Sequence, residues 1–225
     1  MDSKPAWKRR ALPVLMLLGW LTATPLTAQE GPPAVARVVS AVGDAWAINA
    51  DGTSRRELAR RSPIYAGETL VTGEALLQVR FMDRALASIG CHSELLIEDY
   101  QYLDLASDRS HLLLKQGRVR TVTGTVQRSN YRFRTELVTI RPAGTEFEVY
   151  IESPGLNYLG VYDGSIRVET ALGVLTLGPG PGQPSFGVAN DADPPQGVPV
   201  QPPQLGAMPI LSPSDPDKVV CNQGF

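Results

Sequence analysis

From residue 35 to residue 177, apolar and polar positions alternate in short runs broken by Gly, Asp and Asn. Leu77, Val79 and Phe81 share one side of such a run, with Gln78 and Arg80 on the other. Ile166 and Val168 alternate with Arg167 and Glu169 in the same way. Period-two patterning puts one face in a core and the other in water, as in half-buried antiparallel strands. The pattern predicts strands at 37–40, 44–50, 75–81, 95–100, 112–115, 119–122, 131–135, 145–151, 157–161, 165–169 and 174–177. Asp51-Gly52 and Asp163-Gly164 are tight-turn dipeptides, and Gly43-Asp44 and Gln116-Gly117 mark further reversals. Trp46 and Tyr65 stand in apolar, strand-like contexts and are expected in the core. Residues 55–61 allow one helical turn, which Pro63 would end. The expected fold is all-β: short antiparallel strands in a solenoid-like array or a twisted sandwich.

The two ends break this pattern. Lys4, Lys8, Arg9 and Arg10 precede an apolar run at 11–21, and small residues follow, with Ala23 and Ala28 candidate cleavage positions. This is the layout of a secretory signal peptide, and the run is too short for a bilayer, which needs about 20 residues. The expected domains are a signal peptide at 1–28, a linker at 29–34, a β domain at 35–180 and a flexible Pro-rich tail at 181–225. The last 48 residues, 178–225, hold 11 of the 19 prolines, too many to continue a sheet ladder throughout. The mature chain is expected in the periplasm or outside the cell, with no transmembrane segment. In such an oxidising compartment Cys91 and Cys221 are a candidate disulfide that would staple the tail to the domain. Two unpaired thiols, or Cys221 paired with another protein, are the alternatives.

Composition then limits the chemistry. The net charge of −2 gives no electrostatic footprint for nucleic acid. Two cysteines exclude a four-thiolate zinc site, and two histidines make histidine metal sites and triads hard to assemble. Cys91 and His92 are adjacent, and neighbours on a strand point to opposite faces, so they make no thiolate pair. Asp99, Asp104 and Asp108 lack the pattern of a Ca²⁺ loop. No catalytic residue, metal or cofactor is expected. The one suggestive surface feature is arginine. Arg118, Arg120, Arg128, Arg132, Arg134 and Arg141 fall within 24 residues, with Glu136 the only acid among them. If the strands carrying Arg118 and Arg120 and those carrying Arg132 and Arg134 pair, four guanidiniums form a basic patch. Such a patch would suit a carboxylate-rich or phosphate-rich partner, either an envelope protein or a cell-wall component. A solvated sheet face balanced by acids elsewhere is the competing reading.

The order of motifs carries a resemblance. It runs Val39-Ser-Ala-Val-Gly43-Asp-Ala-Trp46, Gly67-Glu-Thr-Leu-Val-Thr-Gly73, Ala75-Leu-Leu-Gln-Val-Arg-Phe81, Ser93-Glu-Leu-Leu-Ile97 and Leu114-Lys-Gln-Gly117-Arg-Val-Arg120. Tyr131-Arg-Phe-Arg-Thr135, Gly144-Thr-Glu-Phe147 and Val161-Tyr-Asp-Gly164-Ser-Ile-Arg-Val168 follow. Together, over about residues 35–180, they resemble the FecR domain, the periplasmic module of iron-citrate signalling regulators. The chain departs from that pattern at Arg141 and Ala143, before Gly144, and at Asp83-Arg84, where the family has an Asp-Gly turn. It resembles the stand-alone exported members. The resemblance implies an all-β fold and a protein-binding or signalling-accessory role in the cell envelope, and it does not imply an enzyme. A cell-wall or polysaccharide tether using the basic face is the alternative function.

Overall fold

The computed structural model describes residues 31–142, 144–206 and 221. The expected signal peptide and most of the segment beyond residue 206 lie outside the described residues. Alternation becomes strands as the sequence predicts. They are β1 (Ala36–Val42), β2 (Ala45–Ile48), β3 (Arg55–Glu57), β4 (Pro63–Ile64), β5 (Thr69–Thr72), β6 (Leu76–Phe81), β7 (Leu86–Ile89), β8 (Glu94–Gln101) and β9 (Arg109–Val122). After a 3₁₀ turn at Arg128–Asn130 come β10 (Tyr131–Arg134), β11 (Thr139–Pro142), β12 (Glu146–Ser153), β13 (Leu156–Asp163), β14 (Ile166–Glu169), β15 (Val174–Leu177), β16 (Phe186–Asn190) and β17 (Gln196–Val198).

The strands form two sheets that share β9. The front sheet runs β4-β1-β6-β7-β9-β12-β13-β16-β17. The back sheet runs β3-β2-β5-β8-β9-β10-β11-β14-β15. Every pairing is antiparallel except β9 with β10, which is parallel. The chain passes repeatedly from one sheet to the other, so the fold winds like a solenoid and packs like a sandwich. Inward side chains of both sheets build one core. Phe133 of the back sheet meets Phe147 of the front sheet edge-on, with ring centroids 5.5 Å apart. Phe81 and Tyr100 meet across the sheets at 5.2 Å. Burying each such ring contributes about 1.5–3 kcal/mol.

Two predicted strands, 112–115 and 119–122, are one. The N-terminal half of β9 pairs in the back sheet and its C-terminal half in the front sheet, and Gly117 is the crossing point. Gly117 has φ +82°, and a Cβ there would lie 2.2 Å from Ser93 Oγ. Only glycine fits so close an approach in that conformation.

Three expectations change. Residues 55–61 make no helical turn: β3 pairs with β2, and Arg56 is held by the buried Glu68 carboxylate at 2.8 Å. Trp46 and Tyr65 are half-buried rather than core, because Arg55 stacks on Trp46 at 3.7 Å and Arg56 on Tyr65 at 5.6 Å. The segment from residue 181, read as tail, adds β16 and β17 to the front sheet, and Ala189 is fully buried in the core. Its prolines fall where a ladder tolerates them: Pro184 before β16, Pro194 and Pro195 between the strands, and Pro199 after β17.

The turn between β6 and β7 makes the Asp83-Arg84 departure a strained one. Arg84 has φ +72°, a conformation that favours glycine. Arg84→Gly is expected to raise stability by up to about 1 kcal/mol. Denaturant titration checks this, and a loss of stability would contradict it.

Buried phenols set an alkaline limit. Burial first, and then the charge of Asp83, push Tyr100 far above the ordinary tyrosine range, and burial does the same to Tyr131. A folded pKa above the unfolded value of about 10 means their contribution is complete below that pH and lost as pH rises through the alkaline range. Each such phenol then subtracts about 1.4 kcal/mol per pH unit. The expected Tm is flat up to about pH 10 and falls beyond it. A Tm that stays flat well past that point would contradict the assignment.

Candidate interaction face

The four arginines of the expected patch do not meet. Arg118 and Arg120 follow Gly117 and point outward from the front sheet, since Val119 and Thr121, which alternate with them, are buried. Arg132 and Arg134 lie on β10 in the back sheet and point outward there, since Tyr131 and Phe133 are buried. The pairing that would have joined them exists, but it uses the other half of β9: Arg132 aligns with His111 and Arg134 with Leu113. The two pairs therefore sit on opposite faces of the sandwich.

On the back, Arg134 is engaged by Glu98, with Nε donating to Oε2 at 3.2 Å. His111 stands in register between Arg132 and Asp99. Burial first, and then the Arg132 charge, hold its pKa below the usual histidine value.

The front face is more elaborate. Strand register places Gln78, Ser88, Arg120, Glu148, Gly160 and Phe186 in one row across six strands. The neighbouring row aligns Arg118, Tyr150, Tyr158 and Val188. Glu148 is fully buried although it belongs to the outward-facing set. Its Oε2 accepts from Tyr162 Oη at 2.7 Å, and its Oε1 lies 3.5 Å from Arg118 Nε. Arg120 pairs with Glu146 at 2.7 Å. Tyrosines cover both guanidiniums, Tyr150 at 4.6 Å from Arg118 and Tyr162 at 4.0 Å from Arg120. Burial first, and then the Glu148 charge, push Tyr162 far above the usual tyrosine range, so it stays a neutral donor.

Residues 201–206 lie across this face. Gly206 N–H donates to Glu148 Oε2 at 3.0 Å, and Gln204 Nε2 donates to Tyr158 Oη at 3.2 Å. Arg118 donates to the Gln204 carbonyl. Leu205 is buried over Gly160, where a Cβ would come within 3.3 Å of Leu205 Cδ1. Sequence reasoning missed this seat. The only signal was a glycine inside a strand, which marks a close approach. Further along, Cys221 is bonded to Cys91 in the turn between β7 and β8, with Cα atoms 5.9 Å apart.

Elsewhere the chemistry is limited. Cys91 is consumed by the disulfide and His92 occupies a turn with φ +50°. Among the described residues no group of His, Cys, Asp and Glu is placed to hold a metal ion, and no helix is long and apolar enough to cross a membrane. A cleft lined by Lys115, Thr135, Glu136, Ile151, Pro154 and Asn157 has a volume of about 30 Å³. That is room for one or two waters.

Residues 68–167, from the start of β5 into β14, match the family model described as FecR protein. The matched stretch, under half of the chain, is similar to a FecR domain. Two crystal structures of a candidate anti-sigma factor from Parabacteroides distasonis ATCC 8503, at 2.50 Å and 1.65 Å, are similar to this chain. They share 17% and 16% identity with it, with TM-scores of 0.42 and 0.41. Each match covers 54% of this chain and 54% of the other, about half the length of those structures. No curated protein matches the chain significantly.

Proposed function

We propose that this is an exported, non-enzymatic FecR-domain protein that works in the periplasm or outside the cell as a protein-binding or signalling-accessory module. Its partner is an envelope protein, and the contact lies on the front face. One observation carries this reading. Within the FecR region, the outward side of the front sheet buries a carboxylate, Glu148, among two tyrosine-covered arginines. Removing charges from water is costly, and here the carboxylate is covered by an extended segment, residues 201–206, so this side of the sheet is suited to receiving one. The tethering alternative needs a free basic face. The arginines instead divide between two faces, and Arg118, Arg120 and Arg134 are each matched to a glutamate.

The test is chemical crosslinking of the protein in its own cells, followed by fractionation and mass spectrometry. The expected result is one dominant envelope protein in the exported fraction. Capture of wall fragments alone, or recovery only from the cytoplasm, would contradict the proposal.

A further inference from the structure

We infer that the seat on the front sheet is a docking slot for an extended segment of a partner protein, and that residues 201–206 occupy it as a ligand in cis. The inference rests on the protein-binding reading above and names the surface and the kind of segment it takes.

The slot is built for main chain plus one apolar anchor. Glu148 takes a backbone N–H at 206, and Arg118 gives to a backbone carbonyl at 204. Leu205 between them fills the space left by the missing side chain of Gly160. Main-chain hydrogen bonds supplying affinity and a side-chain pocket supplying specificity are the general elements of extended-peptide recognition. The occupying residues make no strand pairing with the sheet, and Leu205 stands outside the hydrophobic core cluster.

The resident ligand fits imperfectly. Glu148 Oε1 and Gln204 Oε1 are both buried without a hydrogen-bond partner, and the Arg118 guanidinium nearest Oε1 is at ion-pair distance only. Buried acceptors left unpaired weaken a complex. The Cys91–Cys221 bond offsets this, because tethering raises the effective concentration of a weak ligand. A better occupant would keep an aliphatic anchor, offer its next N–H to Glu148, and follow with a cationic side chain that donates to Oε1. The complementary charge comes from Glu148 itself.

The test uses full-length oxidised protein and two dye-labelled peptides read by fluorescence anisotropy. One carries residues 201–207, and the other the same residues with Ala207→Lys. In the full-length protein, Leu205→Asp weakens the cis ligand. It is expected to fold, because Leu205 lies outside the core cluster. Far-UV circular dichroism checks this, and Leu205→Ala serves the same comparison if it does not. The expected result is binding at least about tenfold tighter to the variant than to the wild type, since the cis ligand no longer competes. The lysine peptide is expected to gain a further factor of about ten, which Glu148→Gln removes. No measurable binding to the variant, or equal binding to variant and wild type, would overturn the slot. Failure here leaves partner capture in cells as a separate result, so the two readings fail separately.

Discussion

Replacing Cys91 and Cys221 with serine is expected to lower the free energy of unfolding by up to about 5 kcal/mol. The bond closes a separation of 130 residues, and the chain-entropy account of a loop that long gives this size. The cross-link joins the turn between β7 and β8 to the end of the chain, so it restricts most of the unfolded molecule. Guanidinium unfolding of the oxidised protein and the double variant measures the difference. The denaturant slope should also rise, since the uncrosslinked chain exposes more surface on unfolding. A change below about 1 kcal/mol would contradict this account.

Tyr100→Phe is expected to cost about 1–3 kcal/mol although it removes a single oxygen atom. Tyr100 Oη donates to Asp83 Oδ1 at 2.8 Å and accepts from the Asp83 backbone N–H at 2.9 Å. Asp83 is fully buried, and its Oδ2 has no hydrogen-bond partner. Without the hydroxyl, the buried Asp83 N–H goes unpaired, while Oδ1 keeps only the Ala85 N–H at 3.1 Å, and one unsatisfied buried group costs about 1–3 kcal/mol. The ring contact with Phe81 survives in the variant, so the loss is assigned to the hydroxyl. Denaturant titration checks it, and a neutral substitution would show that this pairing is not what fixes the turn.

Alternation made most of the strands legible, because one face of each is in the core. It could not tell which sheet a strand enters. At β9 that difference decides which face carries Arg118 and Arg120: Gly117 reads as a turn signal between two strands, yet it carries one strand from the back sheet to the front. Arg118 and Arg120 thereby leave the side of Arg132 and Arg134, and the basic patch that sequence spacing suggests does not form. Proline content hid β16 and β17, since composition averages over turns and the short strands between them. β3 was misread because three charged residues, Arg55, Arg56 and Glu57, lack an apolar face, and what holds them is a distant carboxylate, Glu68. The burial of Glu148 had no local signal either. It depends on a segment 58 residues later in the chain.

The most direct test of the front-face assignment is site-specific photo-crosslinking in cells. A photoreactive residue would replace Tyr150 on the front in one strain and Arg132 on the back in another. The account predicts that position 150 captures one dominant envelope protein and position 132 does not. Capture from position 132 alone, or equally from both, would contradict it.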